Sequence, residues 1–171
     1  MNDTFKTMKC PACQKEMAKI FVPHEGVNID ICLDGCGGIY FDNREYEYFD
    51  EPHEDIDPIL DSIKGKTFTP VDESLPRTCP ACGARMVKHF ASGKQAVQID
   101  ACYSCGGKFL DHGELEKIRA EYKTKEERDT ASIDLLYELV GDKLREHEAE
   151  TARAKASLSW LRRLWDKMLG Y

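Results

Sequence analysis

The chain has 171 residues, eight cysteines and a net charge of −7. It contains no apolar run near the 18 residues that a membrane-spanning helix needs, and its first residues lack the apolar core of a secretory signal. The sequence therefore indicates neither export nor membrane insertion. We expect a reducing cytoplasm, where paired cysteines are more often metal ligands than disulfides.

The first predicted segment, residues 8–49, combines four cysteines with a short hairpin. Apolar runs around a Pro- and Gly-containing turn predict strands at 20–22 and 27–31, and a third strand is predicted at 39–41. A Cys-Pro-Ala-Cys motif is separated by 18 residues from a second cysteine pair that two glycines follow. The four cysteines are Cys10, Cys13, Cys32 and Cys36.

An acidic segment, residues 50–76, follows. Between positions 42 and 63 the chain has nine acidic residues and one basic residue, a net charge of −8. This composition predicts an exposed connector rather than a core element, with one short helix capped by Asp57 and stopped by Gly65.

Residues 77–120 repeat the first segment at an offset of 69 to 70 positions. Strands are predicted at 86–90, 97–100 and 108–110. The same Cys-Pro-Ala-Cys motif opens the copy, and 19 residues separate it from the second pair. The four cysteines are Cys79, Cys82, Cys102 and Cys105.

A pair of carboxylates follows the third strand in each copy, Asp42 with Glu45 and Asp111 with Glu114. Such pairs suit acid-base chemistry or a second metal. An Asp followed three residues later by a Glu is also typical of a capping box, in which the two side chains bind the first amides of a helix. We interpret all four residues as helix-capping residues.

The cysteine spacing is a zinc signature, and its recurrence predicts two closed sites with two Zn²⁺ per chain. Each segment is also too small to be stable without a metal, a disulfide or a partner. Tetrahedral iron is the alternative, since four thiolates also suit iron. A redox function is disfavoured because no βαβ pattern surrounds either motif.

Both copies resemble the transcription factor IIB-type zinc ribbon. The matching motifs are CPAC followed by CLDGCGGIYFDNREY in residues 8–49, and CPAC followed by CYSCGGKFLDHGEL in residues 77–118. The resemblance implies two tandem structural zinc ribbons, here called ribbon 1 and ribbon 2. It implies no particular activity. The predicted fold class is α+β: two small zinc ribbons of short antiparallel β-hairpins with four-cysteine zinc sites, each followed by a helix, plus a long C-terminal helical tail.

The tail, residues 121–171, lacks proline and is rich in Ala, Glu, Lys, Arg and Leu. It predicts helix with a break near 124–130. Apolar positions from 137 to 168 follow the alternating three- and four-residue steps of a coiled-coil heptad pattern. His147, Thr151 and Ala154 interrupt its apolar interface in the middle. A weak homodimer helix and an amphipathic helix that packs on its own ribbons both fit this pattern.

The end of the tail is amphipathic and carries both tryptophans of the chain. Such a segment fits a groove on a partner protein, a second copy of itself or a membrane surface, and we favour protein packing. The candidate interface residues are Leu158, Trp160, Leu161, Leu164, Trp165 and Met168.

The predicted function is a non-enzymatic, zinc-binding adaptor that binds a partner protein. No nucleophile with a base, phosphate-binding glycine loop or open metal site is visible. Nucleic-acid binding is the alternative, because ribbon 2 has a net charge of +3 between residues 77 and 112, although this falls short of a strongly basic surface. Its basic residues are Arg77, Arg85, Lys88, Lys94 and Lys108.

Overall fold

The computed structural model describes the backbone of residues 7–168 and the side chains of residues 7–153, 155 and 156. The described residues up to Asp129 form one compact unit, and those from Thr130 onward form a second. A 3-10 turn, Glu45–Tyr48, follows the third strand. The other elements are β1 (Ala18–Val22), β2 (Val27–Ile31), β3 (Ile39–Phe41), α1 (Asp57–Ile63), β4 (Val87–Phe90), β5 (Gln98–Ala101), β6 (Lys108–Leu110), α2 (Glu114–Glu121) and α3 (Lys125–Met168).

The predicted strands are confirmed, and within the described residues they form one sheet. The strand order is β1-β2-β3-β6-β5-β4, and every neighbouring pair is antiparallel. The two ribbons join where β3 pairs with β6, with Tyr40 opposite Phe109. Because the order is the same from either edge of the sheet, the ribbons are arranged as two copies about a twofold axis at this pair.

The sheet separates two clusters of buried side chains. Successive residues of a strand point to opposite faces, so Phe41 and Leu110 lie in a large aliphatic and aromatic cluster that both ribbons share. Tyr40 and Phe109 point to the other face, where they pack among the cysteines of both ribbons. The joined strands therefore contribute to a common core on one face and to the two cysteine clusters on the other.

The prediction that residues 50–76 form an exposed connector is wrong for the first part of this segment. Ile56 and Ile59 are buried in the shared core, and Leu60 and Ile63 pack against it. These four positions follow helical spacing, so α1 has an apolar face that packs on β1. The density of acidic residues concealed this face.

Acidic residues of the same segment are paired with arginines from the helices that follow ribbon 2. Arg128 donates to Asp50 at 2.6 Å and to Glu51 at 2.8 Å, and Glu51 is buried. Arg119 donates to the carbonyl oxygens of Phe49 and Glu54. The acidic charge is thus partly neutralised inside the first unit.

The predicted helical break lies at residues 122–124, between α2 and α3. The Glu127 amide donates to the Thr124 hydroxyl at 3.3 Å, which caps the start of α3. Helix α3 continues from the first unit into the second. Among the described residues, no helix combines the length and apolar character that a membrane crossing requires.

Candidate metal centres

Each cysteine cluster is built from two tight turns. In the Cys-Pro-Ala-Cys turns, the carbonyl oxygen of Cys10 accepts from the Gln14 amide, and that of Cys79 accepts from the Gly83 amide, both at 2.9 Å. Gln14 and Gly83 are equivalent positions, and both have positive φ, 65° and 76°. The left-handed residue bends the chain so that both sulfurs of the motif face one point.

The sulfur atoms are close enough to share one ion in each cluster, and all ligand atoms of a cluster lie within 4.8 Å of one another. The shortest Sγ···Sγ distances are 3.4 Å for Cys10–Cys36, 3.3 Å for Cys13–Cys32, 3.5 Å for Cys79–Cys105 and 3.4 Å for Cys82–Cys102. Tetrahedral zinc with Zn–S bonds of about 2.3 Å holds its sulfurs about 3.8 Å apart. Small shifts of a few tenths of an ångström therefore accommodate Zn²⁺, and the two groups of four cysteines fit two zinc ions.

The first site accommodates one extra residue in its second turn, where three residues separate Cys32 from Cys36. A Cβ on Gly35 would lie 2.6 Å from the Cys32 sulfur and 2.7 Å from the Cys13 sulfur, so only glycine fits. The Gly35 carbonyl accepts from the Thr69 amide at 2.9 Å. The segment between the ribbons therefore supports the longer turn.

The second site is the more accessible of the two. Three of the four ligands of the first site are buried, whereas in the second site Cys82 is exposed and Cys105 is half-buried. Burial raises the pKa of Cys79 and raises the pKa of Cys105 to about 12. These thiols keep their protons at neutral pH unless a cation replaces them, so zinc binding releases protons.

Aromatic side chains are exchanged between the ribbons next to the metal sites. A Cβ on Gly107 would lie 2.7 Å from Cζ of Tyr40, and a Cβ on Gly38 would lie 2.8 Å from Cε2 of Phe109. The second glycine of each Cys-Gly-Gly motif therefore makes room for the ring of the other ribbon. The sequence signal for this exchange is a repeated pattern of two glycines, one intervening residue and an aromatic, which occurs at 37–40 and at 106–109.

Ribbon 2 also contains a buried ionic network that the sequence did not predict. The Arg77 side chain is 2% exposed, and it lies 2.7 Å from the Asp111 carboxylate and 3.2 Å from that of Asp100. Lys88 contacts Asp100 at 2.9 Å, and the Arg77 guanidinium lies 5.0 Å above the Phe109 ring. The network connects the hairpin of ribbon 2 to the strand that pairs with ribbon 1.

The predicted capping residues form only half of a capping box. The Asp42 amide donates to Glu45 at 2.8 Å, and the Asp111 amide donates to Glu114 at 2.7 Å. The two aspartates are not N-caps, however, because the helical turns begin at Glu45 and Glu114 without a side-chain cap. The Asp111 carboxylate instead binds Arg77. The turn between strand and helix places each aspartate too early to reach the helical amides.

The candidate interface at the end of the tail lies outside the residues whose side chains the structure describes. The backbone there is helical through Met168. The residues concerned are Leu158, Trp160, Leu161, Leu164, Trp165 and Met168.

Comparison with known families assigns the two ribbons. A family model described as "Transcription factor zinc-finger", the TFIIB-type zinc ribbon, matches residues 9–49 and 78–121. The chain carries two tandem zinc ribbons of this family. The matched segments contain all eight cysteines, so the family and the sulfur geometry agree on the metal. No curated protein and no solved structure matches the chain.

Proposed function

We propose that this chain is a non-enzymatic, zinc-stabilised adaptor that acts in the cytoplasm and binds a partner protein along helix α3. The supporting observation is an apolar stripe on α3 that the described residues leave exposed. Leu136 is 58% exposed and Tyr137 is 64% exposed, in contrast to the fully buried core of the first unit. The stripe consists of the exposed residues Ile133, Leu136, Tyr137 and Leu144 and the half-buried Val140.

The spacing of the stripe matches that of a helix that binds in a groove. Its members recur at three- and four-residue steps, which places them on a face roughly 100° wide. Burying a large apolar side chain contributes about 1.5–3 kcal/mol. Several such residues together are enough to support specific binding after the cost of association is subtracted.

The charge around the stripe favours a protein over nucleic acid or an anionic membrane. Residues 130–150 contain six acidic and two basic residues, a net charge of −4, whereas α3 as a whole, residues 125–168, has ten acidic and nine basic residues. Phosphates and anionic headgroups are repelled by the negative residues around the stripe. The partner that fits is a protein whose apolar groove has a basic rim.

Nucleic-acid binding by ribbon 2 loses support because most of its basic residues have partners inside the protein. Arg77 is buried with two aspartates, and Lys88 is paired with Asp100. Lys94 and Lys108 lie over tyrosine rings, 4.3 and 4.2 Å from the ring centroids. The net charge of +3 therefore does not correspond to a row of free cations facing solvent.

A matched set of charge substitutions tests the proposal in the full chain. Leu136→Glu with Leu144→Glu introduces two charges into the stripe, while Ala149→Glu introduces one at an exposed position roughly 160° from Ile133 around the helix. Proteins retained by each tagged variant are quantified from a native extract treated with nuclease and detergent, and circular dichroism checks that α3 remains helical.

We expect the double variant to lose a specific protein that both the wild type and Ala149→Glu retain. Equal retention by all three proteins would refute a binding site on the stripe. Loss of the retained material on nuclease treatment alone would favour the nucleic-acid alternative. A wild-type mass of two chains that falls to one in the double variant would identify a second copy, rather than another protein, as the occupant.

A further inference from the structure

The hydroxyl of Tyr40 lies beside the metal site of the other ribbon. Tyr40 belongs to β3 of ribbon 1, yet its hydroxyl oxygen is 3.3 Å from the Cys79 sulfur and 3.9 Å from the Cys105 sulfur. The side chain is completely buried. Among the described residues, these sulfurs are the hydrogen-bond partners found for this hydroxyl.

The hydroxyl is not needed for packing. Phe109 occupies the equivalent place in ribbon 2, and its ring packs on Gly38 as the ring of Tyr40 packs on Gly107. A phenyl ring therefore suffices at this position of the fold. Burying a hydroxyl without a partner costs free energy, and at Tyr40 the two sulfurs supply that partner.

The direction of this bond follows from the chemistry of the site. A zinc-bound thiolate has no proton to donate, so the Tyr40 hydroxyl donates and the Cys79 sulfur accepts. A donated hydrogen bond withdraws electron density from the sulfur, which makes the sulfur less reactive towards protons and electrophiles and fixes its orientation. Groups that act on metal ligands in this way typically change metal affinity by about 10- to 100-fold.

We infer that Tyr40 is a positioning residue supplied by ribbon 1 that stabilises zinc binding in ribbon 2. The second site needs such support more than the first because Cys82 is exposed and Cys105 is half-buried. The pairing of β3 with β6 holds Tyr40 in place. Retention of zinc by ribbon 2 therefore depends on the folded state of ribbon 1.

Tyr40→Phe in the zinc-loaded full chain removes the hydroxyl and keeps the ring. Tyr46→Phe is the matched control, because Tyr46 is also buried in the shared core and its hydroxyl has no hydrogen-bond partner among the described residues. Each protein is challenged with EDTA and N-ethylmaleimide, and mass spectrometry follows the labelling of the cysteines of each site separately. The first site serves as an internal reference in the same molecule.

We expect Tyr40→Phe to accelerate labelling of the second site about tenfold, the lower end of the usual range for groups that support metal ligands. Labelling of the first site should stay unchanged, and Tyr46→Phe should alter neither site. In the cobalt-substituted protein, the thiolate-to-metal charge-transfer band of one site should move to lower energy in Tyr40→Phe. Second-site labelling within twofold of the wild type, equal acceleration at both sites, or the same effect from Tyr46→Phe would overturn the inference.

Discussion

Replacing Arg77 by methionine tests whether the buried ionic network is essential to ribbon 2. The equivalent position in ribbon 1 is Met8, which is also buried, so a methionine side chain fits this place in a ribbon. Ribbon 1 tolerates it because Asp42, the counterpart of Asp111, is only half-buried. In ribbon 2 the same substitution leaves Asp100 and Asp111 buried without their guanidinium.

The expected cost is about 3–5 kcal/mol, the range for removing one partner of a buried ion pair. Lys88 still neutralises Asp100, so most of the cost comes from Asp111, whose exposed fraction is 4%. Burial already raises the pKa of Asp111. Loss of Arg77 raises the pKa of Asp111 further, so the folded protein takes up a proton at this carboxylate more readily. The destabilisation caused by Arg77→Met should therefore diminish as the pH falls.

Urea unfolding at constant excess zinc, followed by circular dichroism, measures this cost. Arg85→Met is the control, because Arg85 lies in the same ribbon outside the buried network, and its loss should change the free energy of unfolding by less than about 0.5 kcal/mol. Adding Asp111→Asn to Arg77→Met should recover at least half of the loss. A cost below about 1 kcal/mol for Arg77→Met, or no recovery in the double variant, would refute the reasoning.

The metal sites and their surroundings give three further predictions. Gly107→Ala places a methyl group against the Tyr40 ring and should lower the free energy of unfolding in urea by about 2–3 kcal/mol. Gly141→Ala is the control and should not destabilise the protein, because the nearest atom to the added methyl group would be 3.6 Å away in a helix. Equal urea midpoints for the two variants would contradict the exchange of aromatics. Burial raises the pKa of Glu114 from 4.5 to about 7, so the ionised carboxylate costs stability that increases as pH rises through this interval. The advantage of Glu114→Gln over the wild type should therefore grow by about 2 kcal/mol between about pH 5.5 and 8, and a constant difference would disprove the assignment. Elemental analysis should give two zincs per chain, and chelation should unfold both ribbons together because they share one sheet; a β-sheet signal that survives chelation would argue against zinc as the stabilising element.

Local patterns in the sequence were sufficient to predict the elements and the metal ligands. The cysteine spacing identifies all eight ligands, because a tight turn brings two sulfurs together whatever surrounds it. Alternating apolar residues predict β2 and β5, because this pattern also depends only on residues that are near one another in the chain. Helix capping was predicted only in part, since Glu45 and Glu114 bind the expected amides while Asp42 and Asp111 do not act as caps.

Charge counts were the least reliable guide. The acidic segment was expected to be exposed, but Ile56 and Ile59 are buried, and Arg128 neutralises two of the acidic residues. Arg77 was counted towards a basic surface and is instead buried. A count of charges along the chain records their sign and not their partners, which are 34 positions away for Arg77 with Asp111 and 78 for Arg128 with Asp50.

The amino-acid sequence alone was therefore enough to establish two four-cysteine zinc ribbons followed by a long helix, because these features depend on interactions between residues that are near one another in the chain. The tertiary structure was needed to show that β3 and β6 join the ribbons into one sheet, since either edge of a hairpin offers the same backbone hydrogen bonds to a neighbour. That choice of edge brings Tyr40 to the sulfurs of the second site and Phe109 to Gly38 of the first. Two metal sites that look independent in the sequence thereby become parts of one folded unit.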